Sequence, residues 1–245
     1  MAKSSLQKER LWVLAQAAAD FFFFQNRRYP RASALEWVGN RYELSQTERH
    51  LLHRGVFGQR EALARRAKHS PPADCRNGWL VVDGHNVQIT VESFILGRPL
   101  LKANDGALRD MAGQSADFRF TEVGQMAIDM IFRFLDEHRP KQILVLFDAP
   151  MSHSGLIAGE YKKRITSMGL KGDARAVPVP EREFPYAECI AASSDQEVLD
   201  SSSRWLDLAR LAIETSGLLE PMADFSSIIL SRSTDQYSIS DFGPF

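Results

Sequence analysis

The chain has 245 residues, 44% apolar and 25% charged, a balance that suits a globular protein built as one large domain or as a small one joined to a medium one. Its two cysteines, with no C-x-x-C pair, exclude a disulfide framework and a zinc knuckle and fit a reducing, cytoplasmic setting. The net charge of −1 conceals a division: residues 1–78 hold 14 Lys or Arg against 7 Asp or Glu, a surplus of +7, while residues 79–245 hold 16 against 24, a balance of −8. A basic module joined to an acidic one suits a protein whose first part binds polyanions and whose second binds metal; two solvated surfaces that merely differ in charge are the plainer alternative.

The first module, residues 1–70, reads as helical. Leu11, Leu14, Ala15, Ala18 and Phe22 recur at spacings of three and four and predict one buried face of a helix from Leu6 to Phe24. That stretch is too short to span a bilayer and is broken by Gln16 and Asp20, so no membrane segment and no secretory signal is read here. Tyr29-Pro30 interrupts the pattern, because proline lacks an amide donor and biases its predecessor away from helix. A second helix is expected from Arg31 to about Tyr42. A third begins at Ser45, where Glu48 three residues on gives a capping-box signature, and runs toward Val56. In outline the pair resembles a helix-turn-helix presenting Arg41, Arg49 and Arg54, followed by Arg60, Arg65, Arg66 and Lys68. These are candidate phosphate contacts, or basic side chains that snorkel from a bundle.

His69 to Asp74, with two prolines, reads as a linker, and a second domain is expected over residues 75–230. Within it, apolar strands alternate with helical patterns, the signature of an α/β domain with a mostly parallel sheet. Strands are expected at Trp79–Val82, Ile143–Phe147, Ala174–Val177, Glu188–Ala192 and Ser227–Leu230, and helices at Glu122–His138, around Ser154–Met168 and at Ser203–Ser216. Residues 231–245 read as a flexible tail.

Three of these segments end on an aspartate. Trp79-Leu80-Val81-Val82 stops at Asp83, Ile143 to Phe147 at Asp148, and Cys189 to Ser194 at Asp195. Taken singly, each acid has a plain explanation as a turn or cap residue. Jointly they suggest a carboxylate cluster outside the carboxyl ends of a parallel sheet, where ligands bind in open α/β folds. Such a cluster suits Mg²⁺ or Mn²⁺, which take oxygen ligands and keep several waters. Asp110, Asp105 or Asp200 is expected to complete it, and Asn86, Ser193 and Ser194 to orient a carboxylate or a water. His85, beside Asp83, is a secondary candidate for a general base. A phosphate-binding loop, a dinucleotide turn and a G-x-S-x-G elbow are all missing from the sequence, which argues against nucleotide-driven, hydride and serine-hydrolase chemistry.

Asp83-Gly84-His85-Asn86, the Phe147-Asp148 strand end and Ser193-Ser194-Asp195 together resemble the motifs of PIN-like and NYN-like metal-dependent nucleases. The resemblance spans residues 79–230. It implies an α/β/α sandwich, here preceded by a small all-helical domain, a cluster of three to five acids, Mg²⁺ or Mn²⁺, and cleavage of phosphodiester bonds, most often in RNA. It also implies an acid on a helix after the first strand, for which Glu92, Asp105 and Asp110 all stand as candidates. Tyr29-Pro30-Arg31-Ala32-Ser33-Ala34-Leu35 and Val38-Gly39-Asn40-Arg41-Tyr42 resemble the prokaryotic domain-of-unknown-function family numbered four hundred and thirty-four. The expected function is thus a metal-dependent ribonuclease, with a catalytically inactive RNA-binding or assembly module as the alternative.

Overall fold

A computed structural model describes residues 2–111, 122–216 and 223–229. In chain order its regular elements are helices α1 (Ala2–Asn26), α2 (Arg31–Arg41), α3 (Gln46–Gly55) and α4 (Gln59–Ala67), then strand β1 (Trp79–Asp83), helix α5 (Gly84–Ile95), and strands β2 (Leu100–Lys102) and β3 (Leu108–Asp110). There follow α6 (Glu122–His138), β4 (Gln142–Asp148), α7 (Ser154–Ser167), β5 (Gly172–Val177), β6 (Ile190–Ala192), α8 (Gln196–Ser201), β7 (Trp205–Leu206), α9 (Leu208–Glu214) and β8 (Ala223–Asp224). Contacts group the described residues into two units. The first holds residues 2–67, Leu101–Met111 and 223–229; the second holds Lys68–Leu100 and 122–216.

The helical part of the first unit follows its sequence pattern. Leu14, Ala18, Phe21 and Phe22 of α1 pack with Val38 of α2 and with Leu51 and Leu52 of α3 in one apolar cluster. Ser45 caps α3 in the expected capping box, accepting from the Glu48 backbone N–H while the Glu48 carboxylate accepts from the Ser45 N–H. The cluster is not all-helical, however. Leu101, Ala103, Ala223 and Phe225 join it from later in the chain, and β2 lies between β3 and β8 in a small sheet. Asn104 reaches inside the unit, where its side-chain amide exchanges hydrogen bonds with the backbone N–H and C=O of Phe57 at 2.9 and 2.8 Å. A boundary at residue 70 therefore describes only part of this unit.

The second unit is α/β. Its five strands are all parallel, in the order β5-β4-β1-β6-β7. Leu80, Val81 and Val82 are fully buried between β4 and β6, which explains their unbroken apolar run. From β1 the chain works outward through β4 to β5, then returns to the other side of β1 for β6 and β7. The reversal falls between β1 and β6, the place where an open parallel sheet parts to admit a ligand.

Several expectations differ in detail. The Asp83-Gly84 pair does not open a loop: α5 starts at Gly84, with Asp83 as its N-cap. A Cβ at Gly84 would lie 2.5 Å from Phe147 Cε1, so glycine here serves the close approach of helix and strand. The expected helix over Ser203–Ser216 is a short strand, β7, followed by α9, because Trp205 and Leu206 pair with Ala191 and Ala192 and are buried there. The expected linker is tethered, since the Ser70 N–H donates to the Trp205 carbonyl at 2.7 Å and Pro72–Asn77 forms a 3-10 turn. Ser226–Ile229 is a 3-10 turn where a strand is expected, and the expected tail lies outside the described residues.

Candidate active site

The register of the sheet decides which residues meet. Val82 stands opposite Ala192, so the residues that follow, Asp83 and Ser193, emerge side by side at the carboxyl edge. Ser193 Oγ donates to Asp83 Oδ2 at 2.9 Å and accepts the Asp195 N–H at 3.0 Å. Asp83 Oδ1 accepts the Asn86 N–H at 3.3 Å, and Asn86 Oδ1 in turn accepts both the N–H and the hydroxyl of Ser194, at 2.8 and 3.0 Å. Asp195 caps α8 through the N–H groups of Glu197 and Val198. Two strand ends and two helix starts are thereby tied into one network, with Ser193 bridging the caps Asp83 and Asp195 and Ser194 bound to Asn86.

Asp148, at the end of β4, joins this edge by another route. Its backbone N–H donates to His85 Nδ1 at 3.0 Å, which places the imidazole proton on Nε2. Burial pushes the His85 imidazolium down to about 4, so the ring is neutral at physiological pH. His85 also sets its ring edge-to-face on Phe147. Its geometry is that of a brace for the β4 terminus.

Electrostatics bring in two residues that the sequence reading passes over. Burial raises the Asp83 carboxyl to about 7; hydrogen bonds from Ser193 and Asn86 work against this rise, and the charges of Asp195 and Glu181 add to it. Burial and Glu181 also raise Asp148. Glu181 sits in a 3-10 turn, Pro180–Arg182, beyond the end of β5. The Tyr186 hydroxyl holds that turn by donating to the Glu181 carbonyl at 2.8 Å, and burial with the surrounding acids raises the phenol to about 12. The available signal was an acid four residues past a strand end, hidden by the prolines between.

The other candidate acids are placed elsewhere. Asp105 and Asp110 belong to the first unit. Asp105 is fully buried and accepts a bidentate pair of bonds from Arg109 at 2.9 and 2.8 Å and one from Arg65 at 3.0 Å. Asp110 lies 3.5 Å from Arg54. Both acids face guanidinium groups within the first unit. Glu92 is on α5, the helix after the first strand, but roughly 13 Å of helix rise separate it from Asp83, and it accepts from Gln88 at 2.9 Å. Asp200 stands near the far end of α8, where Lys68 donates to its backbone carbonyl at 2.8 Å.

The arginines divide in the same way. Arg65 is 3% exposed and pairs with Asp105, and Arg66 donates to the carbonyls of Asn104 and Ser226. Arg49 crosses Gly39, where a side chain would collide with it, and donates to Leu44 O and Asn40 Oδ1. These three bond within the first unit, and Arg54 is turned to Asp110. Arg41, with 72% of its side chain exposed, lies 3.7 Å from Asp20 through Nε and leaves most of its guanidinium to solvent.

Among the described residues, no three carboxylate, imidazole or thiolate groups close on a point that would hold a metal ion. Nor is any described helix long and apolar enough to cross a membrane.

A family model described as Domain of unknown function (DUF5616) matches residues 72–211, more than half of the chain. The chain belongs to this family. The DUF5616 match contains the whole Asp83, Asp148 and Asp195 edge. Upstream of it, residues 13–68 match Protein of unknown function (DUF434), as the Tyr29 to Tyr42 motifs lead one to expect. An uncharacterized protein, MJ0935, of Methanocaldococcus jannaschii is 26% identical over 202 residues, which cover 82% of this chain and 97% of the relative. No solved structure matches the chain.

Proposed function

We propose that the second unit hydrolyses phosphodiester bonds, with RNA as its substrate and Mg²⁺ or Mn²⁺ as its cofactor, on a PIN-like or NYN-like fold. The observation that carries this reading is the joining of Asp83 to Asp195 through Ser193 at the switch point of the sheet, with Glu181 and Asp148 bearing on the same edge. The donors there are hard oxygens, and their mutual repulsion is the kind a divalent cation relieves. Among the described residues no three acids close on one point, so Asp83 and Asp195 would hold the ion and water would complete its shell, a common arrangement for Mg²⁺. When bound, the ion supplies an acidified water and offsets charge on the phosphate.

The chain's own residues do the positioning. Ser193 fixes the orientation of the Asp83 carboxylate, and the Asn86–Ser194 bonds keep the two strand ends from sliding. Burial and the neighbouring acids raise Asp83 to about 7, so its charged form lacks a counter-ion that a divalent cation would supply. His85 holds the end of β4 and with it Asp148. The free, buried thiols of Cys75 and Cys189 accord with a reducing cytoplasm.

A second reading, an RNA-binding or assembly module without turnover, draws on the occupied state of Asp83, both of whose oxygens already accept hydrogen bonds. Incubation of mixed-sequence RNA with the full chain in Mn²⁺, Mg²⁺ or EDTA separates the two. The hydrolase reading predicts shortening of the RNA in metal only, lost in Asp148→Asn. Intact RNA in every condition would overturn it.

A further inference from the structure

In the first unit the end of α1 and the middle of α2 enclose an open pocket of about 320 Å³, lined by Asp20, Phe23, Phe24, Trp37, Val38 and Arg41. That volume lies at the small end of ligand sites and accommodates one nucleotide. Phe24 is the hub of its walls, with ring centroids 6.0 Å from Phe23, 5.1 Å from Tyr29 and 5.9 Å from Trp37, all edge-to-face. Phe23 and Trp37 are about half exposed, at 51% and 50%, and Tyr29 is 43% exposed. Four aromatic rings grouped at a surface cost solvation that a monomeric protein gains nothing from in isolation, and such a patch marks a binding site.

The charges choose among ligands. The one carboxylate in the pocket wall, Asp20, accepts from the Tyr42 hydroxyl at 2.7 Å and lies 3.7 Å from Arg41 Nε, so its charge is already balanced. Arg27 lies over the face of Phe23, 4.5 Å from the ring centroid. With Asp20 and Arg41 offsetting each other, Arg27 leaves this surface with a net positive charge, which disfavours an ammonium ligand in an aromatic cage. An aromatic ligand carrying negative charge meets no such penalty: it stacks on the open rings and presents its anion to Arg27 and Arg41. Unpaired nucleotides have this character, and stacking on aromatic side chains beside basic groups is how proteins hold single strands. Duplexes, whose bases are stacked on one another, cannot use such a pocket.

We infer that this pocket binds an unpaired base of a single-stranded nucleic acid, with Trp37 as its stacking platform and Arg41 and Arg27 on the adjoining phosphates. The assignment rests on the nuclease reading for the class of ligand and adds the form of strand and the place of capture. Its test needs no catalysis. Fluorescence anisotropy of the full chain in EDTA, with labelled octauridylate, octathymidylate and a duplex of the same length, reads binding without cleavage. The single strands are expected to bind roughly ten-fold tighter than the duplex. Trp37→Ala should weaken single-strand binding by roughly five-fold or more, with Trp37→Phe restoring most of it, and Arg41→Ala should reduce the salt dependence by about one phosphate contact. Equal affinity for duplex and single strand, or wild-type binding by Trp37→Ala, would overturn the assignment. Because Trp37 is half exposed, its replacement leaves the fold intact. A protein that binds in this way yet never cleaves RNA would refute the hydrolase reading and keep the pocket.

Discussion

Asp83 occupies a position where a carboxylate is hard to charge. Burial and the neighbouring acids hold its proton up to about pH 7, against about 4 for an aspartate in an unfolded chain. Across that interval the folded state binds more protons than the unfolded one, so its stability falls as pH rises. Asp83→Asn removes the ionisation while keeping an acceptor for the Asn86 N–H. Its melting temperature, relative to wild type, should therefore climb between pH 5 and pH 8.5; a difference that stays constant would contradict the raised carboxyl. Asp105 is the opposite case. Burial works against its charge, but Arg109 and Arg65 hold it well below the usual carboxylate range, and Arg31, Arg65 and Arg109 all lie within about 5 Å of the Phe57 ring. Asp105→Asn takes away their counter-charge and should cost about 3–5 kcal/mol in chemical denaturation. Were Asp105 a metal ligand instead, the same change would abolish cleavage with little loss of stability. Asp83 and Asp105 each precede a glycine, and although only Asp83 ends a long apolar run, the tertiary neighbours decide whether a guanidinium or another acid stands opposite.

Among the elements, the β1–α5 junction shows how local sequence and packing combine. Asp83 ends the strand and caps the helix, Gly84 lets α5 descend onto Phe147, and His85 reaches across to the end of β4. Gly84→Ala places a methyl group against a ring that is fully buried and has no room to give. A loss of about 1–3 kcal/mol is expected, read as a lower urea midpoint with an unchanged slope; a neutral outcome would mean that Phe147 has an alternative rotamer. Long buried strands were legible here, since β1 and β4 announce themselves by continuous apolar runs, and so were helices with a clear period, such as α6. Short pieces were not. At β7 the two residues Trp205 and Leu206 carry no period, and only pairing with β6 makes them a strand. The start of α5 looked like a turn because Asp-Gly is a turn pair in isolation.

For the whole molecule, the charge division of the sequence takes a different physical form from the one it suggests. Much of the basic surplus of the N-terminal segment is internal cement: Arg49 and Arg66 bind carbonyls, and Arg65 meets an aspartate contributed by the segment after α5. That return of the chain into the first unit was invisible to a linear reading, because a long loop and an inserted hairpin have the same composition. The acidic half, by contrast, does place carboxylates at one edge of a parallel sheet, as the strand-end aspartates implied. The proposed cleavage of RNA requires that edge to be a hydrolytic centre. Its most direct test is the initial rate of cleavage of mixed-sequence single-stranded RNA in Mn²⁺ by wild type and by Asp83→Asn, each shown by circular dichroism to be folded. A fall of roughly a hundred-fold or more is expected for the variant, in the range seen when general acid–base groups are removed. Equal rates would contradict the assignment of Asp83 to the active site.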